Sequence, residues 1–267
     1  MKTWSRFAIG LVLATLVGCG DFGTPDRPSN ESEEGPGGRV QVRALNPRQE
    51  LALGRQAYQQ VLESYEGYFL PENHFQTHRV REVTMRIARA SEIEPLQREI
   101  LLHIRGYQFE WDAKVIRDDQ INAFCLPAGK IFVFTGLLQC AGDDSGELAA
   151  VMAHEVAHAL AHHTSERIAR ERASGNVLSK LSFSRMQESE ADHIGVFLMA
   201  FAGYDPEIAV LFWDRMRRLA AQRRAPPEIL SDHPSDERRF RDLRQWAPQA
   251  VAAKKAYDEG RIAPAGG

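Results

Sequence analysis

The feature that most constrains the fold of this chain is a group of charged and polar residues on a helix that is otherwise apolar. The predicted helix begins after Asp144, a capping residue followed three positions later by Glu147 as in a capping box. It continues through an apolar run into residues 154–158, whose sequence is His-Glu-Val-Ala-His. A helix that is apolar on nearly every side is predicted to be buried. Because buried histidines and carboxylates require partners, these residues predict a polar site inside the core.

The spacing of the two histidines indicates a metal site. His154 and His158 are four residues apart, so they lie about 40° apart around the helix and one turn above each other. Two imidazoles in this arrangement can bind one ion, most often zinc. Glu155 lies on a neighbouring face, where it is poorly placed to bind the same ion but can reach a metal-bound water. His-Glu-x-x-His on a helix is typical of zinc peptidases.

A third metal ligand is predicted in a later apolar helix. Glu188 and Asp192 are four residues apart and share one face, whereas Glu190 lies about 200° away around the helix. We expect Glu188 to bind the metal. We expect Asp192 to accept a proton from the ring of a ligand histidine and so to support that ligand.

Three further histidines are candidates for this site. His162 lies two turns beyond His154, roughly 12 Å along the axis, which is too far to share one ion with it. We expect structural or supporting roles for His162 and for its neighbour His163. His193, which adjoins Asp192, is an outside candidate.

Three β-strands are predicted just before the metal-binding helix. Apolar and polar residues alternate over residues 107–115, which predicts a strand with one solvated face. Residues 121–124 form a second predicted strand and residues 130–135 a third, with a turn at Pro127-Ala128-Gly129 between them. We expect a small antiparallel or mixed sheet.

The rest of the domain is predicted to be helical. Asn46-Pro47 is a capped helix start, and the apolar pattern extends that helix to about Leu70. Two shorter helices are predicted near residues 80–88 and 95–101, and the chain after Gly136 also reads as helix. The expected fold class is therefore α+β: a mainly helical domain over residues 46–260, with a small three-stranded sheet beside the active-site helix.

The N-terminus has the pattern of a targeting segment. Two basic residues precede an apolar stretch of about eleven residues, which is too short to span a bilayer as a helix. The stretch ends in Leu-Val-Gly-Cys at Cys19 and is similar to a bacterial lipobox, which implies removal of residues 1–18 and a lipid on Cys19. A plain secretory signal or a single anchor helix is the alternative. Residues 19–45, which follow, are predicted to be a flexible tether.

Composition excludes several other classes of protein. The formal net charge of -3 gives no reason to expect nucleic-acid binding. Three cysteines are too few for a disulfide framework. Cys125 and Cys140 could form a disulfide in an oxidising compartment or could pack as small apolar side chains, and the sequence leaves both possibilities open.

Together these residues resemble the gluzincin zinc metallopeptidases. That family includes the HtpX heat-shock peptidase, the CAAX prenyl endopeptidase, Oma-type proteases and periplasmic lipoprotein proteases of the BepA and LoiP kind. Residues 121–137 look like the family's strand before the active helix, and His233-Pro234-Ser235, followed by Arg239, looks like its closing motif. The similarity covers residues 48–245, with Ala128 where many members carry glycine. It implies a zincin-like metallopeptidase fold with one Zn²⁺ per chain.

The resemblance also implies roles for individual residues. His154, His158 and Glu188 are expected to bind zinc, and Glu155 is expected to act as the general base. His233 is expected to stabilise the oxyanion and, as a movable fourth ligand, to close the site. Two residues are expected to support these groups: Asp192 and Arg239. Three residues are expected to offer a free sheet edge to an extended polypeptide substrate: Ile131, Phe132 and Val133.

The expected function is zinc-dependent hydrolysis of peptide bonds in unfolded or misassembled envelope proteins. The expected location is the bacterial cell envelope, with the protein anchored by its N-terminal lipid to the outer membrane and facing the periplasm. No nucleic-acid partner is expected. One alternative is a periplasmic chaperone or assembly factor whose zinc site is latched or structural. Another is a zinc hydrolase that acts on a non-peptide bond.

Overall fold

The computed structural model describes residues 33–34, 39–102, 104, 106–174, 183–222, 227–234 and 237–261. Within these ranges the chain forms ten α-helices and five β-strands. The helices are α1 (Pro47–Ser64), α2 (Phe75–Ala90), α3 (Glu94–Glu99), α4 (Thr135–Ala141), α5 (Ser145–Leu160), α6 (His163–Ser174), α7 (Arg185–Phe201), α8 (Glu207–Gln222), α9 (Glu228–Asp232) and α10 (Glu237–Asp258). The strands are β1 (Glu33–Glu34), β2 (Val40–Gln41), β3 (Asp112–Ile116), β4 (Ala123–Leu126) and β5 (Lys130–Phe134).

The main sheet is mixed and has the strand order β3-β5-β4. β3 pairs with β5 in parallel, and β4 pairs with β5 in antiparallel orientation. β1 and β2 form a separate two-stranded antiparallel sheet. The mainly helical α+β fold with a small three-stranded sheet is confirmed.

β5 is the central strand, which corrects the predicted substrate edge. Ile131, Phe132 and Val133 pair with β3 on one side and with β4 on the other, and all three side chains are buried. Their backbone groups are therefore committed to the sheet and cannot pair with a substrate. The outer edge of β3 is also covered, since Leu70 donates its N–H to Val115 O. The edge nearest to α5 belongs to β4.

The first predicted strand is shorter than its alternating pattern suggested. Only Asp112–Ile116 pairs in the sheet, and residues 107–111 do not. In that stretch the aromatic side chains pack on rings: Tyr107 stacks on His162, and Phe109 stacks on Trp111. The alternation therefore reflects aromatic packing on one side of an extended segment, which local periodicity cannot distinguish from a strand.

α1 ends earlier than predicted. Asn46 caps it through a capping box with Gln49, as the Asn-Pro pair indicated. The helix stops at Ser64 because a turn containing Gly67, whose φ is 80°, redirects the chain. Phe69 then bridges to Ile116 of β3, so these residues extend the sheet rather than the helix.

α5 lies at the centre of the core, and its predicted burial is confirmed. It packs against α2, α7, α8 and β4, and every residue from Leu148 to Leu160 is buried. Asp144 caps the helix at the N–H of Gly146, without the predicted capping box, because the Glu147 carboxylate binds Arg215 instead. α7 approaches α5 closely at Gly195, where a Cβ atom would meet the α5 backbone at 3.4 Å. This close approach brings the polar residues of the two helices together.

The N-terminal part of the described chain packs on the domain. Residues 39–45 fall within the predicted tether, yet Gln41 is buried and Ala44 donates its N–H to Ser165 O. The predicted signal peptide and Cys19 lie outside the described residues, so those boundaries stay predictions. In the part of the chain that the structure describes, no helix has both the length and the apolar composition needed to cross a membrane.

Candidate metal centre

Two helices and one helix end bring the predicted ligands together. α5 supplies His154 and His158, α7 supplies Glu188, and His233 follows the last turn of α9. One donor atom from each of these four buried side chains lies within 4.8 Å of the others. α7 begins at a capping box at Ser184, which places Glu188 in its first turn, where a carboxylate is electrostatically favoured.

The three predicted ligands face one another at short range. The Nε2 atoms of His154 and His158 are 3.0 Å apart. Glu188 lies against both rings, with Oε2 3.3 Å from His154 Nε2 and Oε1 3.5 Å from His158 Nε2. The predicted ligands come from two i, i+4 pairs on separate helices, and their side chains meet at one point in the core.

His233 joins this cluster as a fourth nitrogen donor. Its Nδ1 lies 3.1 Å from His154 Nε2 and 3.1 Å from Glu188 Oε1. Its Nε2 lies 3.2 Å from Glu155 Oε1. The ring therefore sits between the ligand atoms and the carboxylate predicted to act as base.

Glu155 is buried beside β4. Its Oε2 accepts a hydrogen bond from the Cys125 N–H at 3.0 Å. Burial raises the pKa of Glu155, although nearby His233 and His154 oppose that shift. Burial likewise raises the pKa of the Cys125 thiol well above its ordinary value. Cys125 and Cys140 are not joined by a disulfide bond.

Arg239 and Asp192 lie directly behind the cluster. Arg239 donates to both oxygens of Asp192, through Nε at 2.6 Å and Nη2 at 2.8 Å. Its Nη1 is 2.8 Å from Glu188 Oε2 and also donates to Pro234 O at 2.9 Å. Asp192 Oδ1 is 2.9 Å from His154 Nδ1. One guanidinium therefore connects the α7 carboxylates with the segment that carries His233.

The second predicted ligand histidine contacts His163, for which a structural or supporting role was predicted. His158 Nδ1 is 2.8 Å from His163 Nδ1, and His163 Nε2 is 2.9 Å from Glu190 Oε2. Phe183 stacks on the His158 ring. Glu190 was expected to point away from Glu188, and it does so. Glu190 lies two residues after the predicted ligand Glu188, on a different face of the same helix. That spacing was the sequence signal that it could contact the other side of the site.

The other candidate histidines lie elsewhere. His162 contacts the buried Glu50 carboxylate at 3.2 Å and does not approach the ligand atoms. His193 packs on the rings of Phe197 and Trp246. Neither side chain is placed to bind the same ion as His154.

The charges of the buried cluster suit a divalent cation. Glu155, Glu188 and Asp192 contribute three negative charges, and Arg239 contributes one positive charge, which leaves two negative charges if the histidines are neutral. Two uncompensated charges in the core are unfavourable. A dication would neutralise them, and the two imidazoles, the carboxylate and the third imidazole of His233 are donors that zinc accepts.

Without a cation, the pKa shifts favour protonation of histidines in the cluster, which supplies the missing positive charge. Burial would raise the pKa of Glu188, but the charges of His233 and Arg239 hold it well below its ordinary value. Burial opposes protonation of His154, yet hydrogen bonds with Asp192 and Glu188 raise its pKa to about 9. Burial holds the pKa of His158 well below its ordinary value. Since a metal ligand must be deprotonated, a bound cation would replace the proton that the carboxylates attract to His154.

Comparison with known proteins places these residues in a family. Residues 76–178 and 172–247 match peptidase family M48. The mitochondrial metalloendopeptidase OMA1 of Schizosaccharomyces pombe is 36% identical over 231 residues, which cover 78% of this chain and 64% of that protein. The mitochondrial metalloendopeptidase OMA1 of Homo sapiens is 29% identical over 252 residues, 82% of this chain and 46% of that protein. The β-barrel assembly-enhancing protease of Escherichia coli is 27% identical over 188 residues, 59% of this chain and 38% of that protein. The chain thus spans less than two thirds of the length of each of these relatives.

These relatives overturn the predicted location. OMA1 proteins from five organisms are described as mitochondrial. The prediction of a lipid-anchored protein of the bacterial envelope is therefore wrong. That prediction rested on a short apolar stretch and one cysteine. A pattern of so few residues predicts cellular location only weakly.

Proposed function

This chain belongs to peptidase family M48, and from that membership we propose that it is a zinc-dependent endopeptidase that hydrolyses peptide bonds of polypeptides. The observation that carries the proposal is the convergence of the His154, His158 and Glu188 donor atoms in the core, with the Glu155 carboxylate beside them. A purely structural metal site needs ligands but has no need for an adjacent buried carboxylate.

His154, His158 and Glu188 would hold one zinc ion, supported by Asp192 behind His154. When bound, zinc acts as a Lewis acid and lowers the pKa of a coordinated water toward about 7. The buried Arg239 keeps Glu188 and Asp192 ionised and oriented. It thereby preserves the negative charge that the cation requires.

Glu155 would move the proton during hydrolysis. Its Oε2 is held by the Cys125 N–H, which leaves Oε1 directed toward the ligand cluster and His233. A carboxylate whose pKa is raised by burial is a better proton acceptor than an ordinary glutamate. Glu155 accepts a proton from the attacking water at Oε1 and then donates it to the leaving amine.

His233 would control access to the site. With Nδ1 among the ligand atoms and Nε2 against Glu155, its ring covers both the fourth donor position and the base. α9 holds it there, since Ile229 donates its N–H to Ile121 O and Asn122 Nδ2 donates to Asp232 Oδ2. Displacement of this segment would expose the base and the ligand atoms.

The substrate would be an extended polypeptide that pairs with β4. β4 is the edge strand beside α5, and the outward N–H groups of Ala123 and Cys125 bind the side chains of Asn122 and Glu155. A peptide that replaced the Asn122 side chain at the Ala123 N–H would lie beside the ligand cluster. Only unfolded or misassembled polypeptides supply such a segment readily, so we include clearance of these proteins in the proposed function.

A chaperone or assembly factor with a latched zinc site is the second candidate. The observation that favours it is His233, because four protein donors are typical of closed structural sites. In that case the protein would bind unfolded polypeptides without cutting them.

Incubation of unfolded casein with the zinc-loaded protein and with Glu155→Gln separates the two candidates. Cleavage by the wild-type protein and none by the variant supports the peptidase. Equal cleavage by both proteins refutes Glu155 as base. Absence of cleavage by either protein, with casein retained in a complex, supports the chaperone.

A further inference from the structure

A residue of the N-terminal segment is connected to the ligand cluster by a chain of side chains. Arg39 binds two carboxylates at once. Its Nε and Nη2 donate to Glu190 Oε2 at 2.9 and 2.6 Å, and its Nη1 and Nη2 donate to Glu166 at 2.8 and 2.7 Å. The Arg39 side chain is only 18% exposed and each carboxylate 10%, so these ion pairs are poorly screened by solvent.

Glu190 continues this connection toward the metal centre. Its Oε2 lies 2.9 Å from Nε2 of His163, a side chain that is fully buried. His163 Nδ1 lies 2.8 Å from Nδ1 of the ligand His158. Three consecutive contacts therefore separate Arg39 from a metal-binding ring.

The contacts define where each proton must lie when the metal is bound. His158 would bind the metal through the lone pair of Nε2, so its proton is on Nδ1, and Nδ1–H donates to His163 Nδ1. A neutral His163 then carries its own proton on Nε2, which donates to the Glu190 carboxylate. The arrangement requires a Glu190 oxygen directed at His163, and Arg39 holds Oε2 there through two hydrogen bonds.

We propose that Arg39 is a positioning residue of the metal centre, which acts through Glu190 and His163 to orient the ring of His158. The inference rests on the proposed function only in requiring that the cluster bind zinc. It assigns to His158 a support parallel to the one that Asp192 gives to His154, with a second histidine interposed.

Docking of the N-terminal segment on the domain can be tested separately from the positioning role of Arg39. Gln41 Nε2 donates to Ala161 O at 2.6 Å, and Leu45 donates its N–H to Ser165 Oγ at 2.9 Å. Ser165→Ala therefore weakens docking of the segment without touching Glu190. It is the matched control for a merely structural role of Arg39.

The test measures zinc dissociation constants by competition with a chelator. The proteins are the full chain and five variants: Arg39→Gln, Arg39→Lys, Glu190→Gln, the double variant Arg39→Gln/Glu190→Gln, and Ser165→Ala. Removal of a group that supports a metal ligand weakens affinity about 10- to 100-fold. We expect roughly 10-fold weaker binding for Arg39→Gln and for Glu190→Gln, and no further loss in the double variant. The zinc affinity of Arg39→Lys should lie between those of the wild type and Arg39→Gln, because lysine keeps the charge but lacks the planar guanidinium group. Ser165→Ala should bind zinc as the wild type does.

Two affinity results would overturn the inference. One is an Arg39→Gln affinity equal to that of Ser165→Ala. The other is a double variant whose loss is the product of the two single losses, because independent effects multiply. Circular dichroism of each variant verifies that it folds. In the zinc-loaded wild-type protein, ¹⁵N chemical shifts should place the His163 proton on Nε2. A proton on Nδ1 would also refute the proposal. If the wild-type chain binds zinc but cleaves no substrate, only the proposed peptidase function is refuted. If it binds no zinc, both the peptidase function and the role of Arg39 are refuted.

Discussion

Arg239 and Asp192 form a buried two-point ion pair, with Nε to Oδ2 at 2.6 Å and Nη2 to Oδ1 at 2.8 Å. Both side chains are almost completely excluded from solvent. The pair joins α10 to α7 behind the ligand cluster, and the same guanidinium also contacts Glu188. Integrity of the cluster therefore depends on an arginine that is not among the predicted metal ligands.

Arg239→Leu should destabilise the metal-free fold. It leaves the carboxylates of Asp192 and Glu188 buried without their cation, and breaking such a pair costs about 3–5 kcal/mol. Denaturant unfolding in the presence of a chelator measures the change in the free energy of unfolding. Arg55→Leu is the control, because Arg55 pairs with Glu110 in solvent and its loss should change stability little. Equal effects of the two substitutions would contradict the assignment.

Asp192→Asn should weaken zinc binding about 10- to 100-fold, because the amide is a poorer acceptor for the His154 Nδ1 proton than the carboxylate is. The contact concerned is 2.9 Å long. Competition with a chelator measures the affinity. The control is Asp214→Asn, since Asp214 pairs with Arg217 and Arg218 and not with the predicted ligands. This substitution should leave the zinc affinity unchanged. An unchanged affinity for Asp192→Asn would show that His154 does not depend on this support.

His233→Ala should increase the initial rate of cleavage of an unfolded substrate. In the described structure the His233 ring covers Glu155 and the ligand atoms, so its removal opens both. A fluorogenic casein assay at low substrate concentration measures the rate. A fall in rate would instead assign His233 to oxyanion stabilisation. The double variant with Glu155→Gln should be inactive in either case.

Removal of zinc should lower the melting temperature. A ligand present at about 1,000 times its dissociation constant stabilises the folded state by about 4 kcal/mol. For a domain of this size that corresponds to a shift of about 10 °C. Thermal unfolding with and without a chelator measures it. Glu188→Gln, which removes the only carboxylate in the predicted ligand set, should show a much smaller shift; a full shift in that variant would place the metal elsewhere.

Much of the metal centre could be predicted because its residues repeat at helical spacing. His154 with His158, and Glu188 with Asp192, are i, i+4 pairs, and each pair shares a face wherever its helix is placed. The apolar run before His154 likewise predicted a buried helix. Such inferences hold because helix geometry is local.

Other features could not be predicted because they depend on long-range pairing. The order β3-β5-β4 places β5 in the centre, which removes Ile131, Phe132 and Val133 as a substrate edge. Strand periodicity states which side chains share a face but not which strand lies at an edge. The alternation at residues 107–111 failed for a similar reason, since aromatic packing and strand pairing give the same pattern.

The sequence by itself predicted the candidate ligand helix, the candidate third ligand and the residue behind His154, because regular helices convert spacing along the chain directly into direction. The family resemblance indicated His233, but only the tertiary structure decided which atoms of distant groups meet at the site. Arg39 meets Glu190 across 151 residues of sequence, and His233 meets His154 across 79. These contacts form only when helices and strands pack around a common core, and no local pattern in the chain records that packing.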